Sequence, residues 1–151
     1  MAGLYYEQLT PELIIEHTLR RTVTETDNIL FTTMTMNPAQ IHLDADYCAS
    51  TEFGKPLVNS IFTLGLMIGM TVGDTTLGTT IANLGMTDVN FPAPVFHGDT
   101  ISARTTIMSA RESRSRSDCG IIEFKHEAHN QKGVLVAHCL RNALMLKQPI
   151  T

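Results

Sequence analysis

The spacing of hydrophobic residues changes about halfway along the chain. Between residues 24 and 34, apolar and threonine positions recur three and four residues apart, which predicts a helix that ends before Pro38. Later in the chain apolar and polar residues alternate, which predicts strands over residues 79–90, 100–110, 120–129 and 134–146. Helices followed by a run of strands are typical of an α+β domain.

A long uncharged segment, Pro56 to Gly73, separates these two halves. Asn59 or Ser60 is the predicted N-cap of a helix there. A helix that is apolar on nearly all sides is predicted to be buried inside its own protein. A membrane span is not favoured, because polar residues interrupt the segment and no basic cluster flanks it. Glycines recur every fourth residue on one face, where another backbone can come close: Gly65, Gly69 and Gly73.

Shorter signals complete the predicted layout of the chain. Thr10-Pro-Glu-Leu predicts a short first helix, and residues 21–23 predict a strand. Asp44 is the predicted cap of a helix over residues 45–50. Turn residues at 97–99, 113–118 and 130–133 make the last three strands an antiparallel meander. A curved antiparallel sheet wrapped around the buried helix is the hot-dog fold, which we expect as a single domain over residues 1–151.

Composition narrows the range of functions. The chain has 151 residues, enough for one hydrophobic core, and its net charge of −4 argues against general nucleic-acid binding. The start lacks the features of a signal peptide. An odd number of cysteines without a metal-binding spacing suits a reducing cytoplasm: Cys48, Cys119 and Cys139.

The most reactive stretch is the polar loop Asn37-Pro-Ala-Gln-Ile-His42-Leu-Asp44. An unperturbed histidine titrates near neutral pH, so His42 is a candidate acid and base. Its alternative role is structural, as a loop histidine bonded to a carbonyl. Asn37 precedes a proline, where turn formation alone accounts for it. Asp44 is interpreted first as a helix cap, and Asp27 as a first-turn cap that could otherwise supply a carboxylate.

Three ordered motifs resemble the MaoC-like dehydratases over residues 20–147. This family includes the (R)-specific enoyl-CoA hydratases and the mesaconyl-, itaconyl- and related acyl-CoA hydratases. The motifs are Asn37-Pro-Ala-Gln-Ile-His42-Leu-Asp44, Glu52-Phe-Gly-Lys-Pro-Leu-Val-Asn59-Ser60 and Phe91-Pro-Ala-Pro-Val-Phe-His-Gly98-Asp99. The resemblance implies a hot-dog fold, a homodimer or an assembly of such dimers, and reversible hydration of a 2-enoyl-CoA without a metal or redox cofactor.

The chain departs from the family pattern at two positions. Many family members carry Asp-x-Asn-Pro-x-His, with the aspartate and histidine as the catalytic pair. Here His42 matches the histidine, while Asn37 stands where the aspartate is expected. A branch resembling the mesaconyl-CoA hydratases shares this Asn–His form, which indicates a branched C5 dicarboxylic substrate. Asn59-Ser60 likewise replaces the usual His-Gly at the start of the long helix.

The chemistry of enoyl-CoA hydration assigns roles to these residues. His42 is the predicted general acid and base, and the Asn37 amide is predicted to hold the water or the imidazole. Backbone N–H groups around Ser60 and Asn59 are the predicted stabilisers of the thioester oxygen. Arg114 and Arg116 are either a solvated hairpin tip or a contact to coenzyme A phosphates.

Three alternatives to an acyl-CoA hydratase can be considered. Lys125-His126-Glu-Ala-His129 is similar to a zinc motif, but its histidines are three residues apart and would face opposite sides of a strand, so no metal site is predicted. A hot-dog thioesterase usually uses a carboxylate on the central helix, and residues 56–73 contain none. A non-catalytic acyl-thioester binding protein is the third possibility.

Overall fold

The computed structural model describes residues 3–149, which form five antiparallel strands and four α-helices. The helices are α1 (Glu25–Met34), α2 (Gln40–Leu43), α3 (Ala45–Ala49) and α4 (Ser60–Thr75), with a 3₁₀ turn at Tyr6–Gln8 before them. The strands are β1 (Ile14–Thr22), β2 (Thr80–Asn90), β3 (Thr100–Glu112), β4 (Cys119–His129) and β5 (Leu135–Leu146). They form one sheet in the order β1-β3-β4-β5-β2.

The predicted meander is confirmed by the pairing of β3 with β4 and of β4 with β5. β1 adds to one edge through β3, and β2 adds to the other edge through β5. Each of the four pairings contains a register shift, and such shifts bend a strand and increase its twist. The result is the curved α+β sheet of a hot-dog fold.

Local caps explain two of the predicted helices. Thr24 caps α1 by accepting from the backbone N–H of Asp27, and the Asp27 carboxylate accepts from the Thr24 N–H in return. Asp44 caps α3 by accepting from the Tyr47 N–H at 2.9 Å. Both predictions are confirmed, and α1 ends before Pro38 as expected.

The predicted short first helix after Thr10 is wrong. Residues 10–12 form a turn, and Glu12 has a positive φ of 72°, which a right-handed helix cannot contain. β1 begins at Ile14, so the strand predicted at residues 21–23 is only the end of a longer one. Pairing with β3 along this edge stabilises the extended backbone, and that distant partner overrides the local helix signal.

Helix α4 packs on the sheet along one face and is open on another. Its buried positions are Thr63, Met67, Met70, Thr71 and Thr75. The prediction that this helix is buried inside its own protein is therefore confirmed for one face and wrong for the other. Ile61 is 55% exposed, and a Cβ atom added at Gly65, Gly69 or Gly73 would meet no atom within 4 Å. The sheet covers one side because its strands curve over the helix without closing around it.

Within the described part of the chain, no helix is both long and apolar enough to cross a membrane.

A row of polar side chains, buried except for Asp74 at one end, crosses the sheet below the C-terminal part of α4. The Arg141 Nε donates to His126 Nε2 at 3.1 Å, so the second ring nitrogen of His126 carries the proton that it donates to Thr105 at 2.9 Å. The Thr105 hydroxyl then donates to His17, which donates to the Asp74 carboxylate, each at 2.8 Å. The guanidinium cannot give up a proton, so we interpret this row as structural.

Candidate functional site

A cleft of about 310 Å³ lies where the predicted reactive loop meets the start of α4. Its polar side chains come from His42, Ser60 and Thr63. The rest of its lining is apolar and comes from Phe53, Leu57, Val58, Phe91, Pro92, Ala93, Pro94, Val95 and Val136. An apolar cleft with a few convergent polar groups is the usual form of a small-molecule site. The structure thus brings together two of the sequence-predicted site residues, His42 and Ser60.

One hydrogen bond orients the His42 ring. Its Nδ1 lies 2.9 Å from the carbonyl oxygen of Leu57. A carbonyl oxygen only accepts, so Nδ1 carries the proton of the neutral ring and Nε2 keeps a free lone pair. The alternative role predicted for His42 was a structural bond to a carbonyl. That bond is present, and it also leaves Nε2 free to accept a proton.

The backbone N–H groups at the start of α4 differ in their hydrogen bonding. The Asn59 N–H donates to the Asn28 side chain at 2.9 Å, and the Ile61 N–H donates to the Asn59 side chain at 3.1 Å. Within residues 3–149, the Ser60 and Phe62 N–H groups have no acceptor. They lie at the positive end of a 16-residue helix. Ser60, which lines the cleft, therefore offers a donor that Asn59 does not.

Asn28 is a buried residue that the sequence reasoning missed. Its amide contacts the carbonyl oxygens of Leu57 and His42, the backbone N–H of Asn59 and the ring of His97. In the sequence it stands at an unremarkable position inside α1. The sequence carried one local signal for it, because Asn28 is a polar residue on the same helical face as Thr32, four residues later. Both residues are fully buried in the structure.

Asn37 is not among the residues that line the cleft. Its Oδ1 accepts from the Ala39 N–H at 3.0 Å, which is the turn that a residue before proline favours. Among the described residues its side-chain nitrogen makes no hydrogen bond. That nitrogen is the group available for the predicted contact to water.

The two carboxylates near the loop act as caps. Burial alone would raise the pKa of Asp27, but hydrogen bonds from Thr24 and the charge of Arg21 hold that pKa below its ordinary value. Asp44 accepts from the α3 backbone, and neither carboxylate lines the cleft. Asp27 does not supply the carboxylate that Asn37 lacks.

Arg114 and Arg116 are not brought together with this cleft. They occupy the turn after β3, whereas the cleft lies near the start of that strand, about 40 Å away along its length. Arg116 pairs with Asp118 at 2.6 Å, and this bond holds the pKa of the Asp118 carboxyl below its ordinary range. The cation nearest the lining in sequence is Lys55, which lies 4.3 Å from the centre of the Phe96 ring.

The remaining histidine and cysteine candidates are occupied in packing. His126 is fully buried in the polar row described above, while His129 is half-buried at the end of β4. The Cys48 thiol donates to the Ile41 carbonyl at 3.2 Å, and burial raises its pKa, so it is a poor nucleophile.

The fold and cleft define a hot-dog protein with an imidazole at the N-terminus of its central helix. The family model described as "MaoC like domain" matches residues 8–130, and the chain belongs to that family. A solved structure described as a monoamine oxidase regulatory protein, from Archaeoglobus fulgidus, shares 33% identity and a TM-score of 0.86, with 99% of this chain and 98% of that one covered.

Two further proteins that are similar to this chain are longer than it. Mesaconyl-CoA hydratase of Cereibacter sphaeroides is 28% identical over 97% of this chain, which covers 42% of the relative. A conserved hypothetical protein from Mycobacterium tuberculosis, described as having a double hot-dog fold, has a TM-score of 0.87 at 22% identity and is 46% covered. The chain thus spans less than half the length of these relatives.

Proposed function

We propose that this protein is an acyl-CoA hydratase/dehydratase, which adds water reversibly across the 2,3 double bond of an enoyl-CoA. The observation that carries the proposal is a single apolar cleft that holds a histidine with a free Nε2 lone pair and a helix N-terminus with unbonded N–H groups. Hydration of an enoyl thioester needs a base for water and a stabiliser for the developing enolate oxygen.

Proton transfer and stabilisation of the thioester oxygen each have a group in the cleft. His42 Nε2 accepts a proton from water as the oxygen attacks C3, and the imidazolium then delivers a proton to C2. The negative charge that forms on the thioester oxygen is stabilised by the Ser60 N–H and the helix dipole. The Asn37 side-chain nitrogen holds the attacking water, which leaves proton transfer to His42 alone. The reaction transfers no electrons, so it needs no redox cofactor, and the roles proposed for His42 and the Ser60 N–H involve no metal.

The finer assignment of the acyl group rests on similarity. Relatives named for CoA thioesters include a mesaconyl-CoA hydratase and a β-methylmalyl-CoA dehydratase, the latter from Chloroflexus aurantiacus. We therefore propose a branched C5 dicarboxylic enoyl-CoA, such as mesaconyl- or itaconyl-CoA, as the first candidate. Lys55 lies in sequence between the cleft residues Phe53 and Leu57, and we propose it as a contact to a coenzyme A phosphate. The free thiols of the three buried cysteines suit a reducing cytoplasm.

A screen of thioesters tests the reaction class. We expect the purified protein to hydrate at least one of crotonyl-, mesaconyl- and itaconyl-CoA, measured by loss of the enoyl absorbance and mass analysis of the hydroxyacyl product. Release of free thiol would instead indicate a thioesterase. The structure disfavours that outcome, because the one carboxylate on α4, Asp74, lies at its C-terminal end and accepts from His17. Tight acyl-CoA binding without turnover would contradict the proposal and support a binding protein.

We further propose a homodimer formed on the open face of α4. This face carries Ile61 and the three glycines, and edge strand β2 adds exposed apolar residues. Those β2 residues are Ile81, Leu84 and Val89. Exposed apolar surface and an open sheet edge are both features that a partner chain typically covers.

The substitution Gly69→Leu tests this interface. A Cβ atom at this position meets no neighbouring residue within 4 Å in the single chain, and leucine favours a helix over glycine by roughly 1 kcal/mol, so the fold should persist. We expect sedimentation to give twice the 16.6 kDa chain mass for wild type and a shift to monomer for the variant. Ser115→Leu, at the exposed turn after β3, is the control and should stay dimeric. A monomeric wild type would contradict the proposal.

A further inference from the structure

The side-chain amide of Asn28 has only one possible orientation. Asn28 is fully buried on α1, and it receives the backbone N–H of Asn59 at 2.9 Å. A backbone N–H only donates, so the atom that it contacts must be the amide oxygen. The amide nitrogen of Asn28 is therefore the atom that faces the opposite side.

That opposite side presents acceptors from three separate segments of the chain. The Asn28 nitrogen lies 2.9 Å from the Leu57 carbonyl oxygen and 2.9 Å from His97 Nε2, with a longer contact of 3.3 Å to the His42 carbonyl oxygen. The two hydrogens of this nitrogen are donated to the two nearer acceptors, the Leu57 carbonyl oxygen and His97 Nε2. The Leu57 carbonyl is the same group that accepts from His42 Nδ1. Asn28 and the His42 ring thus share one acceptor oxygen.

Thr32 reinforces this junction one helical turn further along α1. Its hydroxyl receives the Asn59 side-chain nitrogen at 3.3 Å and lies 3.5 Å from the Asn28 oxygen. Thr32 and Asn59 are both buried. Two residues of α1 therefore hold the cap of α4, and the cap in turn sets where the Ser60 N–H points.

We propose that Asn28 is the positioning residue that fixes the base and the oxygen-stabilising N–H groups in one arrangement. Its nitrogen holds the Leu57 carbonyl that orients His42, and its oxygen holds the first residue before α4. His97 accepts the second hydrogen and keeps the amide from rotating. The expected effect of Asn28 on catalysis rests on the proposed hydratase function. The hydrogen bonds by which Asn28 positions these groups do not depend on that function. Misplacement of a reacting group by about 1 Å costs roughly 10²-fold in rate.

Asn28→Ala is the first test. We expect kcat for hydration to fall about 10²-fold, because the base and the N–H donors lose their common support, while KM changes by less than about threefold. The ¹⁵N NMR spectrum of the neutral His42 ring should change from the Nδ1–H tautomer alone to a mixture of the two. A kcat within twofold of wild type, or an unchanged tautomer, would overturn the proposal.

Asn28→Asp tests the same junction with a side chain of equal size. The carboxylate keeps an acceptor for the Asn59 N–H but turns a lone pair toward His97 Nε2 and the Leu57 carbonyl. The repulsion between this lone pair and that of His97 Nε2 is relieved when His97 takes a second proton and pairs with the carboxylate. We expect a new ionisation in the pH–rate profile and in the His97 NMR signals. A profile identical in shape to that of wild type would count against the assigned amide orientation.

A control separates positioning from stability. Thr75→Val removes a buried hydroxyl that donates to the Thr71 carbonyl at the far end of α4. We expect a lower melting temperature with unchanged kcat and an unchanged His42 tautomer. If wild type hydrates none of the thioesters, the proposed function fails, and the tautomer measurement alone then decides whether Asn28 orients His42.

Discussion

Replacing His42 with alanine is expected to lower kcat for hydration by about 10²–10⁴-fold. General acid–base catalysis by a positioned side chain contributes about this much, and His42 is the one imidazole in the cleft lining, with Nδ1 bonded to the Leu57 carbonyl and Nε2 free to accept a proton. The Ser60 N–H and the apolar walls remain, so KM should change much less than kcat. Steady-state kinetics with the best thioester from the screen gives both constants.

His129→Ala is the matched control for this substitution. His129 is half-buried like His42 but lies at the end of β4, outside the cleft lining. We expect its kcat to remain within about twofold of wild type. His42→Ala removes one hydrogen bond to Leu57, which is worth about 1 kcal/mol, so the variant should still fold. A folded His42→Ala protein with wild-type kcat would exclude His42 as the acid and base.

The second large effect is a loss of stability in mild acid. Burial lowers the pKa of His126 from its ordinary value of 6.5 to about 3, and the nearby Arg141 cation adds to the shift. Between these two values the unfolded chain binds a proton that the folded chain does not. The free energy of unfolding therefore falls as the pH drops from 6.5 toward 3, by about 2 kcal/mol between pH 7 and pH 5. That is a large part of a typical domain's stability.

His126→Gln removes this titration while keeping an acceptor for Arg141 and a donor for Thr105. We expect urea unfolding of wild type to lose about 2 kcal/mol between pH 7 and pH 5, and the variant to lose less than about 1 kcal/mol over the same range. Carboxylates with lowered pKa values, such as Asp27 and Glu112, lose their contribution only at lower pH. Equal pH slopes for the two proteins would contradict a buried neutral His126.

Local signals in the sequence were sufficient for the elements that depend on neighbouring residues. Caps at Thr24 and Asp44 placed α1 and α3, because a side chain that bonds the first turn acts within three residues. Alternation and short turns placed β3, β4 and β5, since hairpin partners follow one another along the chain. The meeting of the His42 loop with the start of α4 was also expected, although through family resemblance.

Tertiary structure alone decided the features that join distant residues. β1 is a strand because β3 lies beside it. The polar row from Asp74 to Arg141 joins one helix and four strands, and the sequence of each element gives no sign of the others. The same holds for Asn28, which contacts residues 14 to 69 positions away. Local patterns report which surfaces a segment must bury, but hydrogen-bond partners across the fold are chosen only once the segments have packed. The open side of α4 belongs with these features, because its apolar sequence required cover without specifying which chain supplies it.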